Sequence, residues 1–179
     1  PPVGPDDPVE DHPYLMQGEA MGGDAFRMTD LERRPGGPKE ALLAARATIL
    51  NEYGWLWLRR DGEPTVLTEK LYPKLLGEGS TKEQRLETNA YLLGAKTEYW
   101  RAHRNYAGIL HFVYLTCSYP GVFTADHFED VRALKLNPWF EDYMGEAMKP
   151  LGVYLNFFQP SLAAGKARSQ VVSPQRPGL

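Results

Sequence analysis

Two apolar, β-forming runs separated by one long amphipathic helix constrain this chain more than any other feature. The first run is "ATIL", Ala47 to Leu50, which leads into "NEYGWLWL"; the second is "YAGILHFVYL", Tyr106 to Leu115. Between them "STKE" reads as a capping box that opens a helix from Ser80 to about Arg104. Leu86, Ala90, Leu93, Thr97 and Trp100 recur at helical spacing on one face, and Lys82, Glu83, Arg85, Glu87 and Lys96 cover the other. Arg101, His103 and Arg104 suit the negative end of the helix dipole. Near-continuous apolar strands joined by a helix predict a parallel βαβ unit with both sheet faces covered. Proteins built this way place their chemistry beyond the carboxyl ends of the strands. Glu52 occupies that place on the first strand, and His111 and Tyr114 lie near it on the second.

The flanking segments are less regular. Residues 1–37 hold five of the fifteen prolines within the first thirteen residues, and "GEAMGGDAF" adds glycines, so this part reads as a loop region. "PKEALLAAR" predicts a short helix from Pro38 to about Arg46, with proline at its first position. "RRDGE" carries an Asp-Gly turn signal, and "VLTEKLYPKLLG" predicts a turn or two of helix interrupted at Pro73. "SYPGVFTADHFEDVRAL" reads as a loop, and "NPWFEDYMGEAM" as a helix capped by Asn137 with Pro138 behind the cap. "GVYLNFFQPSLAAGKARSQVV" has strand character. The expected division is a loop region over 1–37, an α/β part over 38–149, and a linker with the start of a β segment over 150–179.

Composition removes several function classes. The 179 residues are 42% hydrophobic, enough for one sizeable core. A net charge of −3 from well-mixed acids and bases leaves no footprint for nucleic acid and no polybasic face for an anionic membrane. No run reaches the roughly 18 apolar residues of a membrane span. The proline-rich, acidic start does not read as a signal peptide. Cys117 is the single cysteine, which excludes an internal disulfide, and it has no zinc-type spacing. "DDPVEDHP" is acidic but fits no EF-hand template, so no metal is expected. No other cofactor is expected either.

A strand ending in Glu-Tyr-Gly with tryptophans after it, then a long helix, then an Ala-Gly-Ile-Leu strand, resembles the last quarter of the catalytic (β/α)8 barrel of clan A glycoside hydrolases. Family 2, the β-galactosidase and β-glucuronidase group, is the nearest resemblance, and it covers roughly residues 45–160. It implies an α/β fold that is a partial (β/α)8 TIM barrel, containing strands 7 and 8, followed by the exit toward a β-sandwich. It also implies that Glu52 in "NEYG" is the catalytic nucleophile. Six strands and the acid/base carboxylate of such a barrel have no counterpart in the chain. The implied function is therefore a portion of a retaining glycosidase, with a carbohydrate substrate and the remainder of the barrel as partners, in a secreted or periplasmic setting.

Within that resemblance the neighbouring residues acquire expected roles. An ionised carboxylate beside tryptophans is costly to bury unless it is partnered or used, and a nucleophile must stay ionised. Asn51, Tyr53 and His111 are candidate donors to Glu52. Trp55 or Trp57 is a candidate platform for the apolar face of a sugar ring, and Tyr114 a further contact. Asp126 and His127 are candidates to hydrogen-bond sugar hydroxyls. The bland alternatives stay open at this point: an ion pair for Glu52, core packing for the tryptophans, a capping or surface role for Asp126. A self-contained α/β module that binds carbohydrate or protein through its aromatics, without chemistry, is the alternative function.

Overall fold

The computed structural model describes Gly4 and residues 6–17, 28–29, 45–159, 163–165, 167 and 172–175. Three short parallel strands, β1 (Val9–Asp11), β2 (Thr48–Leu50) and β3 (Gly108–Ile109), form a sheet in the order β1-β2-β3. Val9 pairs with Thr48 and Asp11 with Leu50 on one side of β2; Ile49 pairs with Gly108 and Leu50 with Ile109 on the other. Strand order follows chain order, so each strand docks beside its predecessor.

Helix α1 (Leu71–Leu76) and the long α2 (Lys82–His103) lie between β2 and β3 in the chain. A two-stranded antiparallel ribbon of β4 (Phe128–Asp130) and β5 (Lys135–Leu136) follows. Then come α3 (Pro138–Ala147) and a second ribbon, β6 (Gly152–Leu155) with β7 (Val172–Gln175).

Several expectations are corrected here. The N-terminal segment read as loop contains β1, in which Val9 and Asp11 are partly buried and Glu10 is exposed, as suits an outer strand with little apolar signal. The run from Tyr106 to Leu115 pairs only at Gly108 and Ile109; beyond the bond from the Leu110 N–H to the Leu50 carbonyl the chain leaves the ladder. Pro73 does not interrupt α1 but sits in its first turn, where a missing N–H costs nothing. The cap of α2 is Thr81 rather than Ser80: its hydroxyl accepts from the Gln84 N–H while the Gln84 side chain accepts from the Thr81 N–H. Lys96, expected on the polar face, is fully buried. The helix expected over 38–46 lies outside the described residues as far as 44, and residues 45 and 46 form a turn. Asn137 caps α3 as expected, accepting from the Trp139 and Phe140 N–H groups.

The core gathers Leu50 from β2, Tyr53, Leu56 and Leu58 from the segment after it, Leu71 and Tyr72 from α1, and Leu92, Leu93, Tyr99 and Trp100 from α2. Met144 of α3 and Tyr154 of β6 close it. Helix α2 thus has apolar partners on several sides, which is why so few of its residues after Thr88 are exposed. Tyr154 reaches the core through an edge contact with Tyr99, their ring centroids 6.4 Å apart. Among the described residues no helix is long and apolar enough to cross a membrane.

Candidate active site at the end of the central strand

Strand β2 ends at Leu50, and the chain then carries Asn51, Glu52 and Tyr53 past the carboxyl end of the sheet. The Asn51 N–H donates to the Asp11 carbonyl at 3.1 Å, so this residue extends the pairing with β1. Glu52 is partly buried and has no hydrogen bond or ion pair among the described residues. Gly54 and Trp55 both have positive φ, 110° and 72°. This reversal needs the glycine: a Cβ at position 54 would lie 2.9 Å from Leu93 Cδ2, on a backbone that side chains rarely adopt.

Three carbonyls of this segment are satisfied by distant parts of the chain. The Gly54 carbonyl accepts from the Met16 N–H at 3.2 Å. The Leu56 carbonyl accepts from the Tyr72 hydroxyl at 2.6 Å and from the Asn89 side-chain amide. The Trp57 carbonyl accepts from the Thr68 hydroxyl at 2.6 Å. Tyr72, Asn89 and Thr68 hold this loop in place and went unrecognised in the sequence, since each lies more than ten positions from its partner.

The result is a fixed aromatic cluster built on the segment that follows Glu52 in the chain. Trp55 and Trp57 lie 5.2 Å apart, and Tyr14 meets them edge-on at 4.9 and 6.1 Å. Phe112, after β3, meets Trp57 edge-on at 6.0 Å. Both indole N–H groups are used internally, Trp55 on the Leu67 carbonyl at 3.0 Å and Trp57 on the Phe112 carbonyl at 3.2 Å. Trp57 is buried, whereas Trp55, Tyr14 and Phe112 keep part of their surface. Tyr14 was not singled out from the sequence, because it belongs to the segment read as loop.

A second group gathers around the end of β3. The His111 and His127 Nε2 atoms are 2.7 Å apart, and His127 stacks flat on Phe140 with ring centroids 3.9 Å apart. Tyr53 meets the His111 ring edge-on at 5.6 Å. Burial pushes the His111 imidazole down to about 4. Burial, reinforced by His111, holds His127 well below the ordinary histidine value. Both rings are therefore neutral at pH 7. His111 Nδ1 is sealed from solvent and has no hydrogen-bond partner among the described residues.

Three expected contacts are reassigned. The Tyr53 hydroxyl pairs with the Thr97 hydroxyl at 2.5 Å rather than with Glu52, and burial pushes its phenol up to about 12 although that hydrogen bond pulls it down. Asp126 is buried and takes both Arg60 donors, Nε at 3.0 Å and Nη2 at 2.5 Å. It also accepts from the Thr116 and Phe128 N–H groups at 3.1 and 3.2 Å, leaving it saturated and unavailable to a sugar hydroxyl. Tyr114 is 74% exposed, with one edge on Phe128. It belongs to neither cluster.

Among the described residues no group of three or more His, Cys, Asp or Glu side chains is arranged to hold a metal ion. An open groove of about 400 Å³ lies between α2 and α3, lined by Tyr91, Gly94, Ala95, Glu98, Trp139 and Tyr143 among others. Glu52 is not part of its wall. Comparison of the chain with protein-family models, with curated proteins and with solved structures gave no match.

Proposed function

We propose that this chain supplies the nucleophile-bearing end of a retaining glycoside hydrolase of the clan A, family 2 type, in which β2 and β3 act as the seventh and eighth strands of a (β/α)8 barrel. The observation that carries the reading is Glu52: a carboxylate just past the carboxyl end of the middle strand of a sequentially ordered parallel sheet, unpaired among the described residues and followed in the chain by a fixed aromatic cluster. Strand β1 extends the reading, since a parallel strand preceding the nucleophile strand takes the place of a sixth.

In this chemistry the Glu52 carboxylate attacks the anomeric carbon of the bound sugar, and the leaving-group oxygen takes a proton from a second carboxylic acid. Water then cleaves the glycosyl-enzyme ester, deprotonated by that same second group. The two carboxyls stand about 5–5.5 Å apart in retaining enzymes. The partly exposed face of Trp55, backed by Trp57 and Tyr14, offers an apolar platform on which a sugar ring stacks. The second carboxyl is assigned to the remainder of the barrel, which is a partner of this chain in the proposal.

Mechanism-based labelling tests it. A 2-deoxy-2-fluoro glycoside with a good leaving group, given to the chain joined to the complementary strands, is expected to leave a covalent glycosyl group on the peptide containing Glu52. Glu52→Gln is expected to abolish labelling, and the 179-residue chain alone is expected to show no turnover of an aryl glycoside. Labelling at another residue, or full turnover by Glu52→Gln, would sink the proposal. The reading as a binding module without chemistry gains from one observation, the exposed aromatics Tyr114, Tyr119 and Phe123 after β3. It predicts sugar or protein binding that survives Glu52→Gln.

A further inference from the structure

The groove between α2 and α3 holds chemistry that the reaction proposed for Glu52 does not use. Gly94 lets the two helices touch at one point of its wall: a Cβ there would lie 3.2 Å from the Tyr143 carbonyl oxygen and 3.3 Å from the Tyr143 Cβ. Beside that contact the surfaces part and leave an open space of about 400 Å³. Its aromatic walls are Tyr91 of α2 with Trp139 and Tyr143 of α3. The two phenol rings stand at 79° to one another with centroids 6.0 Å apart, so they meet as two sides of a corner. Tyr91 and Trp139 remain 42% and 36% exposed, which keeps ring surface available in the groove rather than in the core.

Apart from the phenols, every ionisable group in the lining is an acid: Glu98, Asp142 and Glu146. An adjoining hollow of about 260 Å³ shares both tyrosines and adds Glu87, again with no lysine or arginine in its wall. From Leu92 to Trp100 every residue of α2 is buried except Glu98, which is partly buried and opens onto the groove. Burial holds the Glu98 carboxyl above its ordinary range; Arg101 pulls it back and Glu146 adds to the rise. The cations nearby belong to the end of α3 rather than to the groove wall. Arg101 donates to the Ala147 and Lys149 carbonyls, and Lys149 pairs with Glu146 where both are exposed.

Charge selects the occupant. A neutral ligand would strip water from these carboxylates without neutralising them. A divalent metal needs several oxygens converging on it, and among the described residues no group of three or more acids is so arranged. An organic ammonium ion suits both features of the groove: the acids attract it at a distance, and its weakly hydrated shell rests on ring faces whose quadrupoles attract it too. The space is of the size that small-molecule sites occupy. We propose that this groove binds a small organic cation bearing a quaternary or multiply methylated ammonium group, with Tyr91, Trp139 and Tyr143 as its walls and Glu98 as its fixed negative charge. Nothing in this proposal rests on the glycosidase reading.

Amide and indole spectra of the full chain, labelled uniformly with 15N, test it by titration with choline chloride. Two controls run beside it: 3,3-dimethylbutan-1-ol, which keeps the shape of choline but has carbon in place of the charged nitrogen, and potassium chloride at the same ionic strength. Choline is expected to shift the Gly94 and Glu98 amides and the Trp139 indole saturably, and the neutral isostere to bind at least about tenfold more weakly. Potassium is expected to give no saturable shift. Trp139→Ala should weaken choline binding about tenfold and Glu98→Gln about fivefold, since each removes one of the two attractions. Glu141→Gln, which removes an acid of the same helix outside the groove wall, should leave it unchanged. Equal binding of the isostere, an equal response to potassium, or saturable binding of cellobiose with none of choline would each overturn the proposal. If Trp139→Ala does not fold, Glu98→Gln and the isostere comparison decide. No readout involves turnover, so a failure to label Glu52 leaves this result standing, and a failure to bind choline leaves the glycosidase reading untouched.

Discussion

At the scale of single residues, the site pairs groups that water would otherwise have solvated. His111 and His127 are held neutral by burial, and this links stability to pH. Their folded values lie below the ordinary histidine value of about 6.5, so between that pH and about 4 the unfolded chain binds more protons than the folded one. Stability therefore falls as the pH drops through this window, by up to ~1.4 kcal/mol per pH unit for each imidazole kept neutral. Urea denaturation at pH 7, 6 and 5 should show the midpoint falling, and His127→Gln should make the fall shallower. An equal slope in the variant would assign the effect to other groups. The roles of these residues were only half legible beforehand. Glu52, His111 and His127 stood out by type and by their place after apolar runs. Nothing in the sequence joined His111 to His127 across sixteen positions, or Asp126 to Arg60 across sixty-six.

At the scale of elements, α2 was the most legible part of the chain and still shifted in detail. Thr81 rather than Ser80 caps it because the reciprocal bonds need the partner three residues on to be Gln84, and the backbone of Thr81 is extended as a cap requires. Thr81→Ala should cost about 1 kcal/mol by denaturant titration, as a lost cap does, while the cap model assigns Ser80→Ala a much smaller loss. Equal costs would refute the assignment. The strands were less legible than the helix. Only two or three residues of each parallel strand pair, so apolar runs of up to ten residues overstate their length. In β1 the sequence "VED" has no alternation at all. Burial of Lys96 was also hidden, because helical spacing identifies one apolar face and α2 is covered on more than one.

At the scale of the whole molecule, the parallel sheet has three strands among the described residues, and β1 and β3 each present an edge with no strand on it there. Strand edges of this kind recruit other strands. The 179-residue chain alone should therefore associate with itself as its concentration rises, and complementary barrel strands should suppress this. Light scattering after size-exclusion chromatography reads both; a monomer at every concentration would show that the edges are covered. The βαβ order was the part of the architecture that could be read from pattern, since periodicity and capping are local. How many strands complete the sheet is a long-range property that no local pattern carries.

The Arg60–Asp126 pair constrains how this sequence can change without losing its fold. Arg60 follows the aromatic loop and Asp126 precedes β4, so one ion pair, buried on its Asp126 side, fastens the segment after β2 to the segment after β3. Loss of either partner strands a charge or a set of backbone donors, whereas joint replacement by two apolar groups strands fewer. Drift at these two positions should then be correlated: lineages keep both residues or exchange both. The exposed aromatics a few residues away, Tyr119 and Phe123, are under no such bond and are free to vary one at a time.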